Sequence, residues 1–410
     1  MLYRTSFTLL GLSLAFVRAH DMDATSGFTI PLRPRETLSR KDGTFDHHRA
    51  ISQVSHLQHK YRQNLINLER NVGRDAFNEG AEIKELEDLL PFVHLRGSEP
   101  LTDQDDLEWT GPITIGSNAQ GFTIDFDTGS ADLWVPNAHD CQGCDDRRAY
   151  NSLTSTTSKS VNGTFMIHYA DGSTVSGPIF KDTVSVAGVK AVNQTFSAVT
   201  KLSPTFKGNP LDGILGLSFG AISRFPAVGL TAFAQKAVPK NEFSFKLSST
   251  GSELLLGGTN PKLFKGAIEF HPVKARSAFW QISGGSIIQG GKVIITDFDT
   301  ILDSGTTVLY GPSDAVKTFY GSIPGSEVFS ASQGLYSFPC GETPDVAFSW
   351  GGRVWSIDPT IFNLGETEDG SGQCVGALFG PDMGIGKNVW VLGDSTFSFA
   401  NNTVGFASLR

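Results

Sequence analysis

The sequence predicts an all-β chain of two lobes, on three observations. From Trp109 onward, apolar and polar residues alternate between turn signals spaced roughly every 8–12 positions, which is strand texture with few helical windows. Phe122-Thr-Ile-Asp-Phe126 and Glu253-Leu-Leu-Leu-Gly257 are examples. The stretch Phe126 to Pro136, FDTGSADLWVP, has a cousin at Leu302 to Pro312, LDSGTTVLYGP. Their aspartates, Asp127 and Asp303, stand 176 residues apart, a period of lobe length that signals duplication and not a solenoid. Finally, 410 residues exceed what one ordinary core serves.

Composition narrows the class. The 45 glycines, with abundant Ser, Thr and Val, favour short strands and many turns. The net charge of -9 is concentrated downstream of about residue 97. Nucleic-acid binders carry basic faces, so a nucleic-acid partner is excluded.

Residues 1–19 read as a secretory signal: Arg4, an apolar run from Phe7 to Val17, then a small-residue cleavage site at Val17-Arg18-Ala19. The run is too short to span a bilayer, no second one follows, and the last residues, ASLR, are polar, so no membrane anchor is expected. In an oxidising compartment the four cysteines pair. Cys141–Cys144 with Cys340–Cys374 is the simplest of three connectivities. Cys141-Gln-Gly-Cys144 has two other readings, a redox pair or half a zinc site. No thioredoxin-like context and no partner pair at zinc spacing accompany it. No metal and no cofactor are expected.

Residues 20–96 differ from the rest. They hold six of the nine histidines (His20, His47, His48, His56, His59 and His94), and their basic residues roughly balance their acids. Ile51, Val54, Leu57, Tyr61, Leu65 and Leu68 recur at helical spacing, which predicts an amphipathic helix over about 48–70. A second short helix is expected at 80–90. The segment reads as an inhibitory pro-segment, a cover over an acidic body that lifts as carboxylates protonate and histidines charge. Lys60 is the first candidate to reach the paired aspartates, then Arg62. Its bland alternative is a solvated extension.

The body divides into lobes at 97–275 and 276–410. Short helices are expected at 226–236 and 312–320. Gly213-Ile-Leu-Gly216 and Trp390-Val-Leu-Gly393 echo each other, each following its acid frame by about ninety residues. If the lobes meet about a pseudo-twofold axis, Asp127 and Asp303 come within hydrogen-bond reach. Carboxylates that close share one proton and titrate in two steps. One then acts as base on a water while the other donates to a carbonyl oxygen, which is chemistry for hydrolysing an amide. Gly129 and Gly305 allow close backbone approach. The hydroxyls of Thr128, Ser130, Ser304 and Thr306 fix the acids' orientation.

At these frames the chain resembles the pepsin-like aspartic peptidases, fungal secreted and vacuolar members among them. Further support comes from Trp134-Val-Pro136, Tyr169-Ala-Asp-Gly-Ser173, Asp212-Gly-Ile-Leu-Gly-Leu217, Phe279-Trp-Gln-Ile282 and Trp390-Val-Leu-Gly-Asp394, and in the leader from Ile30-Pro-Leu32. The resemblance implies a bilobal pepsin-like fold and a zymogen processed around Leu95 to Ser98. It implies a secreted endopeptidase (vacuolar as second choice), a monomer acting at acidic pH on an extended polypeptide with apolar residues around the scissile bond. It also implies a flap carrying Tyr169, Asp171 and Gly172. A carboxylate at Asp171 fits tolerance of substrate lysine, as in certain fungal members, or is a plain turn residue. Asp125 matches fungal members, Trp134 supports the flap tyrosine, and Leu211 and Ile214 match an apolar subsite, although core packing explains them equally. The segment from Asp394 to Ala400 is about seven residues shorter than the pattern, which puts the local sheet in doubt. Asn162, Asn193 and Asn401 head glycosylation sequons. The alternative function is a catalytically silent pepsin-like binding or inhibitor protein.

Overall fold

The computed structural model describes residues 27–33, 38–86, 89, 109–144, 147–168, 174–203, 206, 211–225, 237–248, 251–393, 397–400 and 402–410. The expected signal, the flap residues Tyr169, Asp171 and Gly172, Asn401 and the expected helix at 226–236 lie outside them.

The duplicated sequence folds into duplicated sheets. In the first lobe a seven-stranded sheet has Gln120–Asp127 beside Gly213–Gly216, and beyond that Leu133–Pro136. The first pair is parallel, with Asp127 opposite Gly216, and the second is antiparallel. The second lobe repeats this. Lys292–Leu302 runs parallel to Val389–Leu392, which pairs antiparallel with Leu309–Tyr310. The two apolar echoes are thus the strands that flank the acid-bearing ones. These strands are buried on both faces, so they read as unbroken apolar runs. A four-stranded sheet completes the second lobe.

A fourth sheet, of six strands, draws on both lobes. It takes Phe28–Pro31 from the leader, Glu242–Lys246, Glu253–Leu256 and Phe264–Pro272 from the middle of the chain, and Phe397–Ala400 and Thr403–Leu409 from its end. The short connection after Gly393 does not interrupt this sheet. Phe397–Ala400 pairs with both neighbours, and the Phe399 ring stacks on Phe243 at 4.7 Å. Across the lobes, the buried Trp280 indole donates to the Leu217 carbonyl at 3.0 Å.

The leader helix, α1 (His47–Asn71), is capped by Asp46, whose carboxylate accepts from the Arg49 amide. At 25 residues it is about 37 Å long, enough to reach between lobes. The helix expected at 312–320 is α2 (Ser313–Gly321). The one expected at 80–90 does not form over residues 81–85; residue 86 is in a 3-10 turn, and 87, 88 and 90 lie outside the described residues. Residues 81–85 have no helical turn, because the backbone there bonds to a distant loop. The Glu82 amide donates to the Gly384 carbonyl at 2.9 Å. Both expected disulfides, Cys141–Cys144 and Cys340–Cys374, are present.

Candidate active site

Asp127 and Asp303 sit at the carboxyl ends of matching strands, 2% and 0% exposed. Each chain turns sharply after its acid, and the turn amide two residues on donates back. Gly129 N reaches Asp127 Oδ1 at 2.8 Å, and Gly305 N reaches Asp303 Oδ1 at 3.0 Å. Thr306 Oγ1 donates to Asp303 Oδ2 at 2.8 Å, and the buried Ser130 hydroxyl favours the charged form of Asp127.

The two turns interlock. Thr128 Oγ1 donates to the Leu302 carbonyl (2.9 Å) and accepts from the Ser304 amide (2.9 Å). Ser304 Oγ donates to the Phe126 carbonyl (2.6 Å) and accepts from the Thr128 amide (3.0 Å). Four buried hydrogen bonds thus join the lobes where the acids emerge. Glycine is required at the next position by the opposite acid. A Cβ on Gly129 would lie 2.4 Å from the Asp303 carboxyl group, and one on Gly305 would lie 2.4 Å from Asp127 Oδ1.

The Lys60 ammonium stands between the acids. It lies 3.2 Å from Asp127 Oδ1 and 3.0 and 2.9 Å from the two oxygens of Asp303. Arg62 instead donates to the Lys84 carbonyl at 2.6 Å. Burial opposes the charge on Lys60, but the two carboxylates outweigh it and its pKa is raised. For Asp127, burial is more than offset by Lys60, Ser130, Asp303 and the Gly129 amide, and the pKa falls below the usual carboxylate value. For Asp303, burial reinforced by the Asp127 charge prevails over Lys60, and the pKa rises. Two like groups in near-identical frames are driven in opposite directions, as expected when both cannot ionise freely.

Three contacts around Lys60 escaped the sequence reading. Tyr61 Oη donates to Asp303 Oδ2 at 2.9 Å, Asn64 Nδ2 to the Gly129 carbonyl at 2.8 Å, and Asn67 Nδ2 to the Ile222 carbonyl at 2.9 Å. Lys60, Asn64, Asn67 and Asn71 repeat at helical spacing, a polar stripe beside the apolar one, and this was the available signal. Elsewhere on α1, Gln58 near its middle donates to the Asp382 carbonyl (2.9 Å), and His47 at its start pairs with Gln333 (3.0 Å). His56 packs edge-on against Phe206 at 5.7 Å. Burial, with help from Lys60 and His59, pushes its imidazole down to about 3.

The remaining expected site residues are spread around this centre. Trp134 is buried and edge-on to Phe206 at 5.3 Å. Leu211 is fully buried, with its carbonyl accepting from Arg147. Ile214 packs beside the cluster containing Trp134 and Phe165. Asp125 is buried on the acid-bearing strand, opposite Thr110 and Ile214. Asn162 is exposed on Lys159–His168, the edge strand of the first-lobe sheet, and Asn193 is exposed within the strand Val189–Val199, with φ of +57°.

Fold and site together define the class of two-lobed peptidases with one aspartate frame per lobe. The family model described as eukaryotic aspartyl protease matches residues 108–409. An aspartic protease of Phaffia rhodozyma is 42% identical over 328 residues, covering 76% of this chain and 79% of that protein. Secreted aspartyl protease 1 of Malassezia globosa is 31% identical over 417 residues, 97% of each chain. Pepsin A of Sus scrofa is 33% identical over 335 residues, covering 76% and 84%. The chain belongs to the eukaryotic aspartyl protease family and is an aspartic-type endopeptidase, a hydrolase of polypeptides. No helix among the described residues is long and apolar enough to cross a membrane.

Proposed function

We propose that this endopeptidase is secreted as a monomeric zymogen and hydrolyses extended polypeptides at acidic pH through an Asp127/Asp303 pair. The pair shares one proton. The ionised carboxylate removes a proton from a water that attacks the scissile carbonyl, and the protonated one donates to that carbonyl's oxygen. Residues 20–96 silence the enzyme until acid loosens them and the chain is cut near Leu95 to Ser98. Apolar residues flank the preferred bond. The observation that carries this reading is Lys60, a leader cation within 3.2 Å of both acids. It occupies the position that the reacting water and carbonyl need.

The test is direct. The purified full chain is acidified, and two things are followed: a drop in size to a body starting near Gly97, and cleavage of a denatured protein with and without a pepstatin-type inhibitor. Both are expected, with activity abolished by the inhibitor and by Asp303→Asn. Activity that survives Asp303→Asn overturns the paired-acid mechanism. Full activity of the uncut chain at neutral pH overturns the zymogen reading.

A further inference from the structure

Beyond α1 the leader turns back and runs along the second lobe as a strap, residues 77–84. Its backbone pairs antiparallel with a loop. Glu82 N donates to the Gly384 carbonyl at 2.9 Å, and Lys387 N donates to the Glu79 carbonyl at 3.0 Å. Phe77 and Ile83 pack against the core. Gly80 has φ of +72°, and a Cβ there would lie 2.5 Å from the Lys387 side chain, so the strap turns where only glycine fits easily.

The selective contact is Asn78. Its side-chain nitrogen donates to Gln281 Oε1 (3.3 Å) and to the Ile385 carbonyl (3.1 Å). Its side-chain oxygen accepts from Gln281 Nε2 (2.8 Å) and Lys274 Nζ (3.4 Å). Two carboxamides thus face each other, each donating and each accepting. Gln281 is 1% exposed and is held by groups of the body itself. It donates to Asp299 at 3.0 Å and accepts from Ser277 at 3.1 Å, and Lys274 is fixed by Asp299. The site is therefore built before the strap is added. A carboxylate in place of the Asn78 amide keeps the Lys274 ammonium as a partner but cannot donate to Gln281 Oε1 or to the Ile385 carbonyl. By contrast, the Glu79–Lys387 pair is 4.0 Å apart and exposed on both sides, so it contributes little. Beside the strap, a cavity of about 550 Å³ runs between Gly80 and the wall formed by Tyr310–Ala315 and Pro381–Val391.

We propose that this face of the second lobe is an asparagine-reading site for extended polypeptide, that the strap is its resident ligand, and that it receives an asparagine-bearing stretch of substrate once the leader has gone. The inference rests on the zymogen reading above. Removal of the strap takes the Asn78 carboxamide from Gln281, which keeps Asp299 and Ser277, and leaves the Gly384 and Ile385 carbonyls and the Lys387 amide without these bonds. A site built to pair such groups rejects ligands that lack the matching donor and acceptor. Addition of an extended segment to exposed backbone supplies affinity, and the side-chain pocket supplies selection.

The experiment uses the acid-activated enzyme and a fluorescein-labelled peptide of residues 76–86, with Asn78→Asp and Asn78→Ala versions. Anisotropy is read at the lowest pH at which the enzyme no longer cuts protein, and mass spectrometry checks that the peptide is intact. The expected result is saturable binding, weakened at least tenfold by either substitution. Absence of binding, or equal binding of all three peptides, overturns the proposal. The same preparation is assayed at acid pH on denatured protein. Lack of any pepstatin-sensitive activity removes the proposed function itself. Activity without asparagine-dependent binding removes only this inference.

Discussion

Lys60 meets Asp303 with its ammonium 3.0 Å from one carboxylate oxygen and 2.9 Å from the other. This contact, shared with Asp127, is the main electrostatic link between leader and site. A buried cation between two buried acids is expensive to break from one side only, by about 3–5 kcal/mol. Lys60→Met keeps the bulk and removes the charge. The leader is then held less tightly, and Asp127 loses the cation that keeps its pKa low. The pH at which half the chain is shortened in a fixed time is expected to rise by about one unit or more. An unchanged midpoint in a gel time course would show that Lys60 is a bystander.

His56 is expected to set a second acid response. Its pKa in the closed form is pushed down to about 3 from an ordinary 6.5. A histidine depressed in this way binds its proton better once the leader has lifted. The closed form is therefore at full strength above about 6.5 and weakens as pH falls toward 3. The surroundings agree in sign, since Lys60 and His59 disfavour the imidazolium and only Asp303 favours it. Asp127, depressed below the ordinary carboxylate value, adds a loss at still lower pH. Asp303, raised, acts in the opposite direction, and Lys60 stays charged throughout. His56→Gln is expected to slow conversion between pH 4 and 6 severalfold while leaving the activity of the finished enzyme unchanged. Equal conversion rates across that range would remove His56 from the switch.

The interlocked hydroxyls make a stability prediction. Thr128→Val leaves the Ser304 amide buried without its acceptor, and Ser304→Ala does the same to the Thr128 amide. Each is expected to lower stability by about 1–3 kcal/mol. Because the four bonds form one cycle, the double variant should lose less than the sum of the two. Thermal unfolding of the four proteins tests this, and strict additivity would mean that the bonds act independently.

Much of this architecture was readable because its signals are local. The strands around Asp127 and Asp303 announce themselves through apolar runs and repeated glycine turns, and Gly213–Gly216 and Val389–Leu392 through their echo. Contacts made at a distance were not readable. Tyr61 was counted as one more apolar position of α1, and its hydroxyl on Asp303 is invisible without the fold. Asn64 and Asn67 look like solvated polar residues until the helix lies in a cleft that buries both of its stripes. Residues 81–85 have helical composition, yet the Glu82 amide is bonded to the loop at 384–387, and long-range pairing overrides local propensity. The sheet doubted after Asp394 forms because Phe399 stacks on Phe243, a partner about 150 residues away by chain position.

The disulfide Cys340–Cys374 spans 34 residues, between the strands Leu335–Pro339 and Gln373–Gly376 of the four-stranded sheet. On the chain-entropy account a loop of this size stabilises by about 3–4 kcal/mol. Cys141–Cys144 closes a loop of only three residues' separation and constrains the unfolded chain far less. Replacing Cys340 and Cys374 by serine is expected to lower the unfolding midpoint clearly, whereas the same change at Cys141 and Cys144 should move it much less. Equal shifts in a melting experiment would contradict this ordering.

Gly305, like Gly129, is held to glycine by the opposite acid. A methyl group there would come within 2.4 Å of Asp127 Oδ1 and 3.1 Å of Lys60 Nζ. Gly305 has no positive φ, so alanine strains no backbone and the conflict is purely one of space. The acids must separate, or the turn must shift, by about 1 Å to restore an ordinary contact from 2.4 Å. Either way their shared geometry is lost, while the lobes keep the Thr128 and Ser304 bonds. Gly305→Ala is therefore expected to fold with a melting temperature near that of the parent. Its kcat on a peptide substrate should fall about 100-fold or more, since misplacement on the order of 1 Å has that effect. KM should change little, because the residues that line the rest of the cleft are untouched. A variant of normal kcat would mean that the acids tolerate separation, and the requirement for glycine at this position would then need a different cause.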